Sequence, residues 1–422
     1  MRALLPLRAV LPMILAVVVA AEGDDARPQQ FAATQAADVR VQAAMHAARG
    51  TEQATINDQV RLCEVPAPPF GERARAAVVL DMLKASGLKN VRFDRAGNVV
   101  GERIGRHARP HVVLTAHLDT VFPTGTKVKV RREGTMLRGP GISDNCRGLA
   151  VLIAIARALT AGDVQTEGSI TLAATVGEEG LGDLRGVRTL LGETLKGRVD
   201  GFVAIDGTGE SITNVAVGSR RYRVTFRGSG GHSYTNFGRA NPAHALGRAV
   251  ARISDLQVPS RPKTTFSVGR IGGGTSVNAI PVESWMEIDL RSSDESALEA
   301  LDRSVQSIIT NAVTLENARW KQNGALTVTS ERVGGRPTGK TDPRSRIVQA
   351  AVTISSMLGM AARPGEASTE ANVAMQMNIP AIAIGGGGIG RGTHTRDETF
   401  DSTGSSRGTE RALRLAIELA SR

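Results

Sequence analysis

His111-Val112-Val113-Leu114-Thr115-Ala116-His117-Leu118-Asp119 is the stretch on which the fold turns. From Val112 to Ala116 it is uncharged and largely β-branched, the composition of a strand buried on both faces. Runs of the same kind recur at 170–176, 202–205 and 381–384, and helical stretches at 148–159, 186–195 and 345–358 lie among them. This alternation predicts an α/β domain built on a mainly parallel sheet.

Outward from these strands the chemistry appears. His117 and Asp119 follow the first run, and Glu178-Glu179 follow the second. Asp206 comes directly after the third, and His394 after the fourth and a glycine-rich loop. In open α/β sheets ligands bind in the crevice at the carboxyl ends of the strands. Four strand ends that carry imidazoles and carboxylates to one edge therefore predict a metal site. At spacing two on extended chain, His117 and Asp119 point the same way. The imidazole can ligate a metal while the carboxylate holds its other nitrogen; a surface loop pair is the plain alternative. Gly139-Pro140-Gly141-Ile142-Ser143-Asp144-Asn145 demands a tight turn before the next helix. Asp144 either caps that helix or bridges two metal ions. Glu178-Glu179 reads either as a solvated acidic pair or as a division of labour. Neighbouring side chains on extended chain diverge, so Glu179 can bind metal while Glu178 stays free as a general base.

Two dications at such a site would lower the pKa of a water and polarise a carbonyl. The nitrogen and oxygen donors, without thiolate, suit zinc and also cobalt or manganese. Residues 385–390 match G-x-G-x-x-G after a strand. No helix follows before His394, so they read as a mobile loop beside the cleft rather than a dinucleotide site.

The chain has 422 residues, 41% hydrophobic and 22% charged, the balance of a soluble globular protein of two domains. Its formal net charge of +11 comes from scattered basic residues, and aromatics are only 3%. Platforms for stacking bases are scarce, so no nucleic-acid partner is expected. Arg2 and Arg8 precede an uncharged apolar run, and Val19-Ala20-Ala21 lie before acidic residues. Residues 1–21 read as a signal peptide, which predicts a periplasmic or secreted enzyme. The run is shorter than the roughly 20 residues that span a bilayer, so no stable membrane anchor is expected. Cys63 and Cys146 could pair in an oxidising compartment, but two cysteines make no disulfide framework, and two unrelated buried thiols are the preferred reading.

The middle of the chain has a different pattern. Strand-like segments at 221–227, 264–270, 285–291 and 325–331 are interrupted by helical ones at 242–256 and 295–313. The order is the ferredoxin-like split pattern. It predicts a smaller α+β domain at 216–333, inserted between catalytic segments 51–215 and 334–422 and preceded by an N-terminal extension at 22–50.

Taken together, these motifs resemble the co-catalytic zinc metallopeptidase and deacylase family that includes bacterial glutamate carboxypeptidase, peptidase T, aminoacylase and succinyl-diaminopimelate desuccinylase. The resemblance runs from about Thr51 to the C-terminus. It implies two zinc ions per chain, with His117 and Asp206 on one, Glu179 and His394 on the other, and Asp144 bridging. Asp119 resembles the orienting carboxylate and Glu178 the general base. The inserted domain resembles a lid through which such enzymes form homodimers. In it, His232 of Gly231-His232-Ser233 resembles the histidine that reaches a neighbouring active site and stabilises an oxyanion. Asn278 and Arg291 resemble substrate-contacting positions. Ser368-Thr369-Glu370 departs from the Ser-Thr-Asp or Thr-Thr-Asp of many members, and His46, His107, His111 and His244 match no motif. His117 to Pro123 and Gly139 to Asp144 look closer to the glutamate carboxypeptidase and peptidase T branches. The expected reaction is thus exopeptidase cleavage of small peptides. An N-acyl-amino-acid amidohydrolase on the same site is the alternative, and a catalytically inert peptide-binding protein the third reading.

Overall fold

The computed structural model describes residues 38–320 and 325–421. The signal-peptide segment 1–21 lies outside the described residues.

His111–His117 is a strand in which every residue is buried. It lies inside a nine-stranded mixed sheet. Ser169–Thr175 and Gly201–Ile205 flank it in parallel, and Ala381–Ile384 runs parallel to Gly201–Ile205. Both faces of this parallel centre are covered, which is why its strands read as unbroken apolar runs. Alternate residues serve opposite layers. Val112, Leu114 and Ala116 pack with helices Val39–Gly50, Arg73–Ala85, Cys146–Ala161, Arg346–Met357 and Ser406–Ala420. Val113 packs with helix Arg185–Thr189 and helix Ala371–Gln376 on the other side. Antiparallel strands Lys89–Phe93 and Val99–Arg103 close one edge of the sheet, and Ile212–Ala216 with its short partners closes the other.

The inserted domain has antiparallel strands Gly218–Arg227, Thr264–Gly273, Glu283–Ser292 and Thr327–Arg336. Their spatial order places the second strand beside the third, the third beside the first, and the first beside the fourth, the ferredoxin-like arrangement. Glu283–Ser292 alternates strictly between half-buried and buried positions. One face packs on helices Pro242–Ser254 and Glu295–Arg319, and the other stays open. The last strand runs past the 325–331 of the sequence reading and carries Arg336 back into the catalytic domain. Among the described residues, no helix is long and apolar enough to cross a membrane.

Two expectations are corrected. Cys63 and Cys146 form a disulfide, with Cα atoms 5.5 Å apart. It joins the end of helix Glu52–Cys63 to the start of helix Cys146–Ala161 across 83 residues of sequence, a separation that hides the pairing from the primary structure. Replacing both cysteines by alanine should lower the unfolding free energy by about 2–4 kcal/mol, read from urea denaturation. An unchanged midpoint would show that the bridge does not constrain the chain.

The glycine-rich loop is pinned rather than free. Gly386 N–H donates to Gly207 O at 3.0 Å and Gly387 N–H to Gly209 O at 3.2 Å. Arg147 and Arg411 donate to the Gly386 and Gly385 carbonyls at 2.8 and 2.5 Å. Gly387 and Gly388 adopt φ of 80° and 68°, which favours glycine at both.

Candidate metal centre

The sheet edge gathers five donor side chains. Asp144 stands between two imidazoles: its Oδ1 lies 3.0 Å from His117 Nε2, and its Oδ2 lies 3.1 Å from His394 Nε2. Asp206 Oδ1 is 3.8 Å from His117 Nε2, and Glu179 Oε1 is 3.0 Å from His394 Nε2. The donor atoms of His117, Asp144 and Asp206 fall within 4.8 Å of one another, as do those of Asp144, Glu179 and His394. The two groups share Asp144, each taking one of its oxygens. The donor atoms of His117, Glu178 and Glu179 form a third such group, and Glu178 is at the same time paired with Arg336. Asn145, not Asp144, caps the following helix, its Oδ1 accepting from Gly148 N–H at 3.1 Å. The Asp144 carboxylate is therefore free for the centre.

The charges ask for a cation. Burial pushes Asp144 up, but its bonds to His117 and His394 outweigh that and hold it below the usual carboxylate range. Burial would lower His117, yet Asp144 and Asp206 hold it well above the ordinary value. Asp144 and Glu179 push His394 up to about 10. Carboxylates that hold imidazoles this strongly charged favour positive charge between them, which divalent ions supply. Five nitrogen and oxygen donors without thiolate fit zinc, cobalt or manganese. His394 itself sits at φ 68°, a conformation uncommon for a side chain of its size.

A buried scaffold sets the donors. The Asp119 carboxylate lies 3.7 Å from His117 Nδ1, which instead meets the Asp119 backbone oxygen at 3.0 Å. That carboxylate accepts from the Glu178 and Glu179 N–H groups at 3.0 and 2.7 Å. Asp119 thus orients the imbedded imidazole through its main chain and the neighbouring strand end through its side chain. Arg75, fully buried, donates to Leu118 O at 2.7 Å and braces the same turn. Glu398 accepts from the backbone N–H groups of Gly141, Ser143 and Asp144 at 3.1, 2.7 and 2.9 Å. Being four residues beyond His394, it ties two donor-bearing loops together. Sequence reading missed Arg75 and Glu398, because neither belongs to a strand end or a recognisable pair.

Glu178 is buried, and Arg336 donates to its Oε1 at 2.6 Å and to its backbone oxygen at 2.5 Å. Burial pushes the Glu178 carboxyl up, and Arg336 opposes the shift. Arg336 was also invisible in the sequence; it ends a strand of the inserted domain and has no motif of its own.

Glu370, from the divergent Ser-Thr-Glu motif, is buried beside Thr115 and Thr175, and burial pushes it up to about 7. Its Oε1 and the Thr115 hydroxyl both lack a hydrogen-bond partner. The folded protein therefore keeps the Glu370 proton up to about pH 7, whereas the unfolded chain releases it near 4.5. Stability falls as pH rises through that window and stays lower above it. The displacement corresponds to roughly 3 kcal/mol. In chelator-treated protein, Glu370→Gln should unfold at higher denaturant than wild type at pH 8 and match it at pH 4. Parallel pH profiles would assign the strain to another group.

The inserted-domain residues lie apart from the five donors. His232 is exposed, and its Nδ1 accepts from Tyr234 and Thr235 N–H at 3.2 and 3.3 Å. Asn278 joins it through a bond from Ser233 N–H to Asn278 O at 2.9 Å. Arg291 donates to Asp289 Oδ2 at 2.6 Å. Asp289 also receives Arg221, whose Nη1 reaches Gly180 O beside Glu179 at 2.8 Å. No described contact places His232, Asn278 or Arg291 against the donor side chains of the same chain.

A parallel-sheet domain with five such donors around one shared carboxylate, and a ferredoxin-like insertion, defines a metallohydrolase. The sequence profile of peptidase family M20/M25/M40 matches residues 113–418, and the chain belongs to that family. Succinyl-diaminopimelate desuccinylase of Nitrosospira multiformis is 29% identical over 271 residues, covering 58% of this chain and 70% of that protein. The desuccinylase of Leptothrix cholodnii is 27% identical over 284 residues, covering 63% and 72%. A solved tripeptidase from Staphylococcus aureus superposes with TM-score 0.73 at 21% identity, over 88% of this chain and 99% of that one. Aminopeptidase PepT from Bacillus cereus gives TM-score 0.70 at 20% identity, over 87% and 99%. At these identities the structural likeness establishes the fold.

Proposed function

We propose that the chain is an exported enzyme that uses two zinc ions to hydrolyse an amide bond of small peptides, as an exopeptidase. The observation that carries this reading is the Asp144 carboxylate, with one oxygen toward His117 and the other toward His394. His117 and Asp206 would complete one metal position, and Glu179 and His394 the other. When bound, the two ions would lower the pKa of a water and polarise the scissile carbonyl. Glu178 takes a proton from the attacking water and returns it to the leaving nitrogen. Arg336 fixes the place of Glu178 during both transfers. A cavity of about 370 Å³ beside Asp206 leaves room for a small substrate. Arg363 is one of its lining residues, which supports a substrate with a free carboxylate.

A second reading has its own support. The desuccinylase relatives bear the name of an N-acyl hydrolase, so cleavage of an N-acyl amino acid on the same site is the alternative. A panel of di- and tripeptides and N-acyl, including N-succinyl, amino acids separates them. Preference for peptides sustains the first reading and preference for acyl amino acids the second. Hydrolysis of neither, with zinc, cobalt or manganese added, would leave a peptide-binding protein.

Export is supported by the Cys63–Cys146 bridge, which suits an oxidising compartment. A homodimer through the inserted domain is supported by exposed Tyr234, Phe237, Val277 and Val282 around His232 and Asn278. In that dimer His232 serves the neighbouring active site. An active monomer by sedimentation would refute this role.

A further inference from the structure

Between Glu179 and helix Arg185–Thr189 the chain makes a strained turn. Gly180, Asp183 and Leu184 take φ of 55°, 52° and 59°. Glycine adopts such a left-handed conformation freely and a single aspartate tolerates it, but a bulky residue such as Leu184 does so at a cost. Leu184 is fully buried, in the core layer of Val113, Val187 and Phe202, so the turn is no frayed surface loop. Backbone of this kind persists only where its surroundings hold it.

The hold comes from the inserted domain. Gly335 N–H donates to Asp183 Oδ1 at 2.7 Å. Arg188 clasps the same two residues, donating to Asp183 O at 3.0 Å and to Gly335 O at 2.9 Å. Arg221, on the strand beside Gly335, donates to Gly180 O at 2.8 Å. At its other end the turn closes on the donor itself, since Gly182 N–H donates to Glu179 O at 2.8 Å. We propose that Asp183 is a positioning residue for one metal position. By accepting the Gly335 N–H it ties the turn to the inserted domain and so holds Glu179 beside His394. His117 ends its own strand and Asp206 directly follows another, so their position does not depend on this turn. The inference rests on the two-metal reading above and adds that the two positions are supported unequally.

The test is zinc titration of chelator-stripped wild type, Asp183→Ala, Asp183→Asn and Asp183→Gly, each at a temperature where its unfolding curve shows it folded. Wild type should bind two zinc ions per chain. Asp183→Ala should bind one ion as wild type does and the other about 10–100-fold more weakly. Asp183→Asn keeps an acceptor oxygen and tolerates left-handed backbone, so it should restore both affinities. Asp183→Gly relieves the backbone and still lacks the acceptor, so it should keep the metal defect of Asp183→Ala while unfolding no earlier. Hydrogen exchange of the Gly335 amide reads the contact without metal, and it should be faster in Asp183→Ala than in wild type. Wild-type affinity at both positions in Asp183→Ala or Asp183→Gly, equal weakening of both positions, or unchanged exchange at Gly335 would overturn the proposal and leave the two-metal reading standing. A wild-type protein that takes up no zinc, cobalt or manganese would overturn that reading and this inference with it.

Discussion

Glu178→Gln should retain both metal ions and lose turnover, with kcat falling by about 10²–10⁴-fold. The side chain keeps its size and can still meet Arg336, so the donor geometry around Asp144 has no reason to move. What disappears is the carboxylate proposed to take a proton from water. Glu178 is suited to that task by position: it is buried at the strand end next to Glu179, yet the shared-carboxylate arrangement is complete without it. The measurement is metal stoichiometry beside steady-state kinetics on the best substrate. An active Glu178→Gln enzyme would sink the general-base assignment. A variant that is inactive because it has lost metal would instead make Glu178 a ligand.

Asp144→Ala should be the most damaging change to metal binding. Asp144 is the donor that the His117–Asp206 group and the Glu179–His394 group share, so its loss should weaken two positions together. Removing partners one shell further out commonly costs 10–100-fold in metal affinity. Deleting the shared ligand should cost more than about 100-fold, and activity should fall to the assay background. Asp206→Ala, which removes a donor from one group only, should keep the second position. Equal metal loss in the two variants would contradict the bridging role of Asp144. Zinc titration of chelator-stripped wild type and both variants reads this directly.

Much of this site was legible because parallel sheets place function at strand ends. His117, Glu179 and Asp206 each follow a buried apolar run, so fold and donors were read from the same residues. The inserted domain was legible for a different reason, since strict alternation in Glu283–Ser292 marks a sheet with one open face. What escaped reading depends on contacts between distant segments. Glu398 grips the Asp144 turn from more than 250 residues away, with a separation of 254 to Asp144 itself. Arg336 reaches Glu178 across 158 residues. Cys63 and Cys146 pair only because two helices bring their ends together. The spacing of His117 and Asp119 suggested that the Asp119 carboxylate holds the imidazole, whereas the Asp119 backbone oxygen meets the ring and the carboxylate serves the next strand.

The central claim is that this chain holds two catalytic divalent ions, and metal content of the purified protein tests it most directly. The predicted result is two ions per chain, with hydrolysis abolished by a chelator and restored when zinc, cobalt or manganese is returned. A protein that takes up none of these metals, or that cleaves its substrate equally well after they are stripped, would contradict it.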